Sequence, residues 1–339
     1  MDYDSQVDHG LLAAKRGRFI MRHGKGDVHG WGVRRAVNVL SAFAFIYVAI
    51  ETLAGLLGAK VVLPALFPHA SKAELNGHLG DWAVVASVVL ALLFALISQW
   101  PVIVGRERHG QDQVRWVTAR RFSLLALIIA LACFFLSQLV AGVADSGLRT
   151  VLSGTGLHPP AASGDGSLDT PIMLFYGILL GPFAEELVFR GVIMNGLRRF
   201  GRVFAIITSS LLFGFMHGSL VQGLFGFISG LVLGYLAMEY GLVWSLLVHM
   251  LNNAFSSGLL AKYMPLAPEV IRIGLGLLMM LVLLIGVVGL LVKLWALRDY
   301  CRINRAPKGI YASWRAPWFL LFCLACLLMA LSEFVPGLG

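Results

Sequence analysis

The chain carries little charge for its length: Asp, Glu, Lys and Arg make up 13% of 339 residues. A soluble globular domain carries about 25%, so this sequence cannot clothe an ordinary solvated surface. Cysteine is sparse too. The four present (Cys133, Cys301, Cys323, Cys326) lie in or beside apolar runs, which argues against a disulfide-stapled ectodomain. Cys323 and Cys326 form a C-x-x-C inside the apolar run Trp318–Met329, with no second pair and no His cluster beside it, so packing is their expected role rather than redox or zinc chemistry. Acid is the scarcer sign, 18 residues against 27 basic ones, for a net charge of +9. No nucleic-acid motif accompanies that charge, so no nucleic-acid partner is expected.

What the chain has in abundance is hydrocarbon. Hydrophobic residues are 58% of the total and mean hydropathy is +0.80, against about 45–50% apolar content in soluble domains. In lipid only helices or closed barrels satisfy every backbone group, and the apolar runs lack the alternation of barrel strands. A spanning helix takes about 20 residues. The expected fold is therefore all-α: a polytopic transmembrane helix bundle of about eight or nine spans, near 38–63, 82–104, 122–144, 171–197, 203–217, 221–238, 241–260, 270–292 and 317–335. The fifth and sixth are short, because Gly218, Ser219 and Gln222 interrupt the run. The first 35 residues are polar and basic and contain no short apolar core ahead of a small-residue cleavage site, so the first span is expected to be retained.

Charge then sets orientation. Residues 1–35 carry seven Lys or Arg, 105–121 five, 198–202 three and 293–315 six, whereas 64–81 and 145–170 carry one each. By the positive-inside rule the amino terminus and the basic intervals face the cytoplasm. Ser153–Thr170, rich in Gly, Pro and Ser, reads as an external loop. The chain divides into a basic cytoplasmic tail (1–35), N-terminal spans (36–170), a central set (171–260) that holds the motifs below, and C-terminal spans (261–339).

Against this background, ionisable groups inside apolar runs stand out, since each is costly there and faces a protein interior or a water-filled cavity. Of nine histidines only His217 and His249 lie in apolar runs, and the deep acids are Glu51, Glu185 and Glu186. Glu186 and Arg190 are four apart and share a helical face, so they can form an internal ion pair. Glu185 points about 100° away from Glu186 and so lies off that face. His249 and Asn253 share a face and can both donate to one point, and Phe213 and His217 repeat the spacing. At about 1.5 Å per residue, Glu185, His217 and Asn253 lie at similar depths from their basic helix ends. A carboxylate, two imidazoles and an amide at one level read as a reaction centre. Glu51 has no basic partner on its face and reads as structural or cavity-lining, and Phe213 as packing that orients His217. Gly181 and Pro182 are expected to loosen the helix before the Glu pair. The run Gly223, Gly226, Gly230 and Gly234 reads as close helix packing, with a substrate groove as the lesser alternative.

The strings E-E-L-V-F-R (Glu185, Glu186, Arg190), F-G-F-M-H (Phe213, His217) and H-M-L-N-N (His249, Asn253) resemble the E-E-x-x-x-R, F-x-x-x-H and H-x-x-x-N motifs of the CPBP family. This family, also called Abi, comprises CAAX proteases and bacteriocin-processing enzymes. The resemblance covers about 171–260 and implies an intramembrane endopeptidase. Carried over residue by residue, it implies that Glu185 activates a water together with His217, that His249 and Asn253 form the oxyanion site, and that Glu186 and Arg190 hold the first helix in register. It leaves the metal question open. No cofactor is expected on a glutamate mechanism, whereas zinc would use Glu185, His217 and His249; the preorganised H-E-x-x-H is missing. The expected partners are the lipid bilayer and a membrane-embedded or lipid-associated peptide or protein substrate, and the expected setting is a bacterial plasma membrane. A transporter or proton pathway, which would also bury Glu, His and Arg, should show internal repeats, and none is seen. A non-catalytic immunity or scaffold protein is the other alternative.

Overall fold

The structure, a computed structural model, describes residues 31–105, 113–153, 170–255 and 263–334. The expected tail before residue 31, Arg106 and Arg108, the interior of the Ser153–Thr170 loop and the end of the seventh span beyond 255 lie outside the described residues.

Among the described residues all regular structure is helical. The main helices are α1 (Trp31–Leu57), α2 (His78–Ile103), α3 (Leu124–Leu152), α4 (Pro171–Phe200, with π-helical stretches at Tyr176–Leu180 and Leu187–Met194), α5 (Arg202–Met216), α6 (Leu220–Glu239), α7 (Leu242–Asn253), α8 (Glu269–Ile303) and α9 (Pro317–Ser332). Among the described residues six stretches are long and apolar enough to cross a membrane: those of α1 to α4, α6 and α8. The chain is thus an all-α polytopic membrane bundle. Of the remaining expected spans, α5 and α9 are shorter. Fifteen residues of α5 rise only about 22 Å, less than the roughly 30 Å of hydrocarbon. Its end is set by Gly218, whose φ of +61° reverses the chain into α6. Irregular backbone at such depth is tolerated only where protein or a water-filled cavity covers it, and His217 sits at this turn.

Burial ranks the helices. A third or more of the apolar window is buried in α4 and α6 (39% each), but only 6% in α8. α8 is therefore an outer helix, seated on α3 where Gly286 meets Ala132. The core lies against α4: Val188, Phe189, Val192 and Ile193 are fully buried and pack in one cluster with Tyr47 and Ala44 of α1, Phe204, Leu212 and Phe213 of α5, and Phe322 of α9.

One carboxylate gathers the basic intervals at a common end of the bundle. Glu239, the last residue of α6, pairs with Arg120 at 3.2 Å and with Arg202 at 2.9 Å, and accepts a hydrogen bond from the Tyr300 hydroxyl at 2.9 Å. Segments from 105–121, 198–202 and 293–315 thus share one end, which is the arrangement their charge requires.

The glycine run of α6 explains how α5 and α6 come together. A methyl on Gly214 of α5 would meet the Gly223 carbonyl oxygen at 2.6 Å, so the two backbones touch there. Without a hydrophobic drive in lipid, such van der Waals contact holds helices together. Gly214→Ala should therefore lower the unfolding midpoint in detergent, at a cost of about 1–3 kcal/mol. Gly274→Ala on α8, where the added methyl meets nothing within 4 Å, should leave it unchanged or slightly raised. Equal effects of the two substitutions would contradict the close backbone contact.

Candidate active site

The candidate site is built on α4, and the sequence of α4 makes that helix irregular. From Tyr176 the helix widens to π geometry, with Gly181 N–H donating to the Tyr176 carbonyl. One residue on, the donor that would serve the Gly177 carbonyl is Pro182, which has no N–H. The orphaned carbonyl accepts instead from Asn253 Nδ2 at 3.0 Å. Asn253 Oδ1 in turn accepts from Asn252 Nδ2 at 3.2 Å. The proline expected to loosen the helix thus creates the anchor point for the end of α7.

One turn further along α4, Glu186 is fully buried and its carboxylate is saturated. Oε1 lies 3.0 Å from Arg190 Nη1 and 3.1 Å from His249 Nδ1, and Oε2 accepts from the Ser245 hydroxyl at 2.5 Å. The Glu186–Arg190 pair expected from spacing is present, with both side chains inaccessible. Two interactions escaped the sequence reading. His249 is held by Glu186, and Ser245, four residues before His249 on the same face of α7, completes the carboxylate's partners. The S-x-x-x-H spacing was the available signal for Ser245.

Glu185 also reaches His249, with Oε2 3.6 Å from Nε2. Glu185, expected to lie off the Glu186 face, thus meets the same imidazole at its other nitrogen. The ring nitrogens of an imidazole point to opposite sides, so two adjacent glutamates can straddle one ring. Glu185 differs from its neighbour in retaining partial exposure, 20% against 0%. Of the pair expected to donate to one point, His249 faces Glu186 with Nδ1 and Asn253 gives one amide hydrogen to the Gly177 carbonyl.

His217 reaches the site from the turn after α5. Its Nδ1 lies 2.8 Å from the Phe213 carbonyl. A carbonyl only accepts, so Nδ1 carries a proton and, in the neutral ring, Nε2 offers its lone pair. The ring is seated against α6, where a methyl on Gly226 would come within 3.0 Å of it. Phe213 joins the parts. The Arg190 guanidinium lies 4.1 Å over its ring centre, and the His217 and His249 rings stand edge-on to it at 4.9 and 6.0 Å. Its expected role of orienting His217 therefore extends to both histidines and the arginine.

The structure thus brings Glu185, Glu186, Arg190, Phe213, His217 and His249 into one connected group, with Asn253 a turn beyond His249. Beside the His217 turn, α5, α6 and α9 leave an apolar groove of about 240 Å³ bordered by Phe215, Ser219, Leu224, Phe227 and Leu327. Among the described residues no three His, Cys, Asp or Glu side chains are grouped so as to hold a metal ion. Nδ1 of His217 faces the Phe213 carbonyl and Nδ1 of His249 faces Glu186, and Glu185 lies 3.6 Å from His249 Nε2.

Residues 167–255 match the family described as type II CAAX prenyl endopeptidase Rce1-like. Among curated proteins, the chain is 26% identical over 183 residues to the Bacillus subtilis (strain 168) protein named "Putative membrane peptidase YdiL", an alignment covering 52% of this chain and 70% of that protein. No solved structure matches the chain.

The buried ion pair yields a stability test. Arg190→Met leaves Glu186 charged and short of its cation, and should cost about 3–5 kcal/mol. The double variant Glu186→Gln/Arg190→Met removes both charges and should recover part of that loss. Unfolding curves of the wild type, both single variants and the double variant give the coupling, and strictly additive losses would contradict a direct pair.

Proposed function

We propose, from the premise that this chain is a member of the CPBP family of membrane peptidases through residues 167–255, that it hydrolyses peptide bonds by a water activated between Glu185 and His217. The observation that carries this reading is the division of labour between the adjacent glutamates. Glu186 is buried and fully engaged by Arg190, Ser245 and His249, so it has no free oxygen for a substrate. Glu185 is partly exposed and is the carboxylate that can accept a proton from water.

His217 supports the same step. Its Nδ1 proton is committed to the Phe213 carbonyl, leaving Nε2 as an acceptor for the water's second hydrogen. The water oxygen attacks the scissile carbonyl, its proton passes to Glu185, and that proton is delivered to the leaving amine. His249 is oriented by Glu186 through Nδ1, and the mechanism uses it as the imidazolium, the form that donates from both ring nitrogens. Nε2 can then donate to the oxyanion, with Asn253, held one turn further along α7 by the Gly177 carbonyl, as the second donor of the reading. Such preorganised donors are commonly worth about 3–4 kcal/mol. The apolar groove beside His217 suits an apolar portion of a membrane-associated peptide or protein substrate. The setting proposed is a bacterial plasma membrane with the Glu239 end of the bundle facing the cytoplasm, because that end collects the basic intervals.

The test uses the purified protein in nanodiscs and an internally quenched peptide, farnesylated on the cysteine of a C-terminal CAAX sequence, alongside unmodified membrane-anchored peptides. Glu185→Ala and His217→Ala should each lower cleavage by at least about 100-fold while keeping the unfolding midpoint within a few degrees. Cleavage should survive exhaustive chelation. Retained cleavage in a folded Glu185→Ala protein would end the proposal, and loss on chelation with rescue by zinc would replace the glutamate mechanism.

A further inference from the structure

Asn252 and Gln138 are two intramembrane amides that this mechanism leaves unused. Asn252 falls on an unspecified position of the H-x-x-x-N motif and is 4% exposed. Gln138 lies in the apolar run of α3, outside residues 167–255, where a polar side chain finds its partner on another helix.

The two amides meet, and they continue into the site. Gln138 Nε2 donates to Asn252 Oδ1 at 3.5 Å, Asn252 Nδ2 donates to Asn253 Oδ1 at 3.2 Å, and Asn253 Nδ2 donates to the Gly177 carbonyl at 3.0 Å. Successive residues of a helix point about 100° apart, so Asn252 can face α3 while Asn253 faces α4. The chain of amides therefore crosses α7 from one neighbour to the other.

The direction of this chain is dictated at one end. A backbone carbonyl only accepts, so Gly177 requires the amino group of Asn253 on its side. That turns Asn253 Oδ1 to Asn252, which meets it with its own amino group and so offers Oδ1 to Gln138. One acceptor in α4 thus orients three side chains in series. The orientation has a chemical consequence, because an oxyanion is stabilised by an N–H and repelled by a carbonyl oxygen. An Asn253 amide turned over would present the wrong atom. We propose that Asn252, supported by Gln138, is a positioning residue: it holds Oδ1 of Asn253, so that Nδ2 is the atom presented to the oxyanion. The proposal rests on the reading of Asn253 as an oxyanion donor, and it adds to the site α3, a helix the three motifs do not include.

The test pairs a magnetic-resonance spectrum with kinetics, both on the full chain in nanodiscs. In protein carrying isotope-labelled asparagine, the side-chain amide resonance of Asn253, identified by its loss in Asn253→Ala, should shift in Asn252→Leu. With the farnesylated quenched peptide as probe, Asn253→Ala removes the donor outright and should lower kcat about 100-fold. Asn252→Leu keeps the donor but releases it, and should lower kcat about tenfold with KM within about twofold. Added to Asn253→Ala, Asn252→Leu should have no further effect. An unshifted Asn253 resonance, a loss confined to KM, or losses that multiply in the double variant would overturn the proposal. Should Asn252→Leu not fold, Gln138→Leu carries the same comparisons from the half-buried end of the chain, with kcat lowered about threefold, and an unmoved resonance there overturns the proposal as well. Wild-type cleavage by Asn253→Ala would defeat the oxyanion reading, and the positioning role with it, yet the resonance shift in Asn252→Leu would stand, so the two failures are distinguishable.

Discussion

The organisation of the site depends on one buried carboxylate. Glu186 could not remain ionised in an apolar interior without compensation, and its compensation comes from three directions. Arg190 arrives from the same helix one turn away, and Ser245 and His249 arrive from α7. Satisfying this charge docks α7 on α4, turns Nδ1 of His249 toward α4, and holds the Arg190 guanidinium over the Phe213 ring. The same ring borders His217. An interaction that reads in the sequence as a local ion pair thus sets the arrangement of residues from α4, α5 and α7.

The stripe of small residues on α6 has a related function. Gly223 admits the backbone of α5, Gly226 admits the His217 ring, and Gly230 lies under Phe213 and Arg190. Each of these contacts occupies space that a side chain on α6 would fill. Close helix packing and seating of the site are consequently one feature of the sequence, since the glycines that let the helices touch are those against which the functional side chains rest.

Much of this was legible in the sequence because a membrane interior makes polar residues conspicuous. The all-helical bundle follows from the apolar runs. The Glu186–Arg190 pair follows from i,i+4 spacing, and the meeting of the basic intervals follows from charge alternation. Less legible was anything that depended on how one helix presents its groups to another. The contact of Glu185 with His249 was not legible from the angle between Glu185 and Glu186, because side chains that diverge on one helix can still reach opposite edges of a ring from another. The short α5 was foreshadowed by Gly218, but which faces of α1 and α4 oppose each other was not legible, since helix periodicity carries no information about it. Pro182 was recognised as a disturbance without a partner, because its counterpart, Asn253, lies 76 residues away in the chain.

That last pairing carries a consequence for how the fold stores directional information. A regular helix is closed to its surroundings, since every inner carbonyl is claimed by the chain's own amides. At Gly177 the claim lapses, because the residue that should make it is an imino acid. The opening is the size of one hydrogen bond and has one orientation, so it admits a single amide from a single approach. A vacancy in the backbone's own bonding thereby acts as an address, and it fixes the rotational setting of α7 about its axis in a medium where apolar side chains, surrounded by equally apolar lipid, discriminate poorly between one rotation and the next.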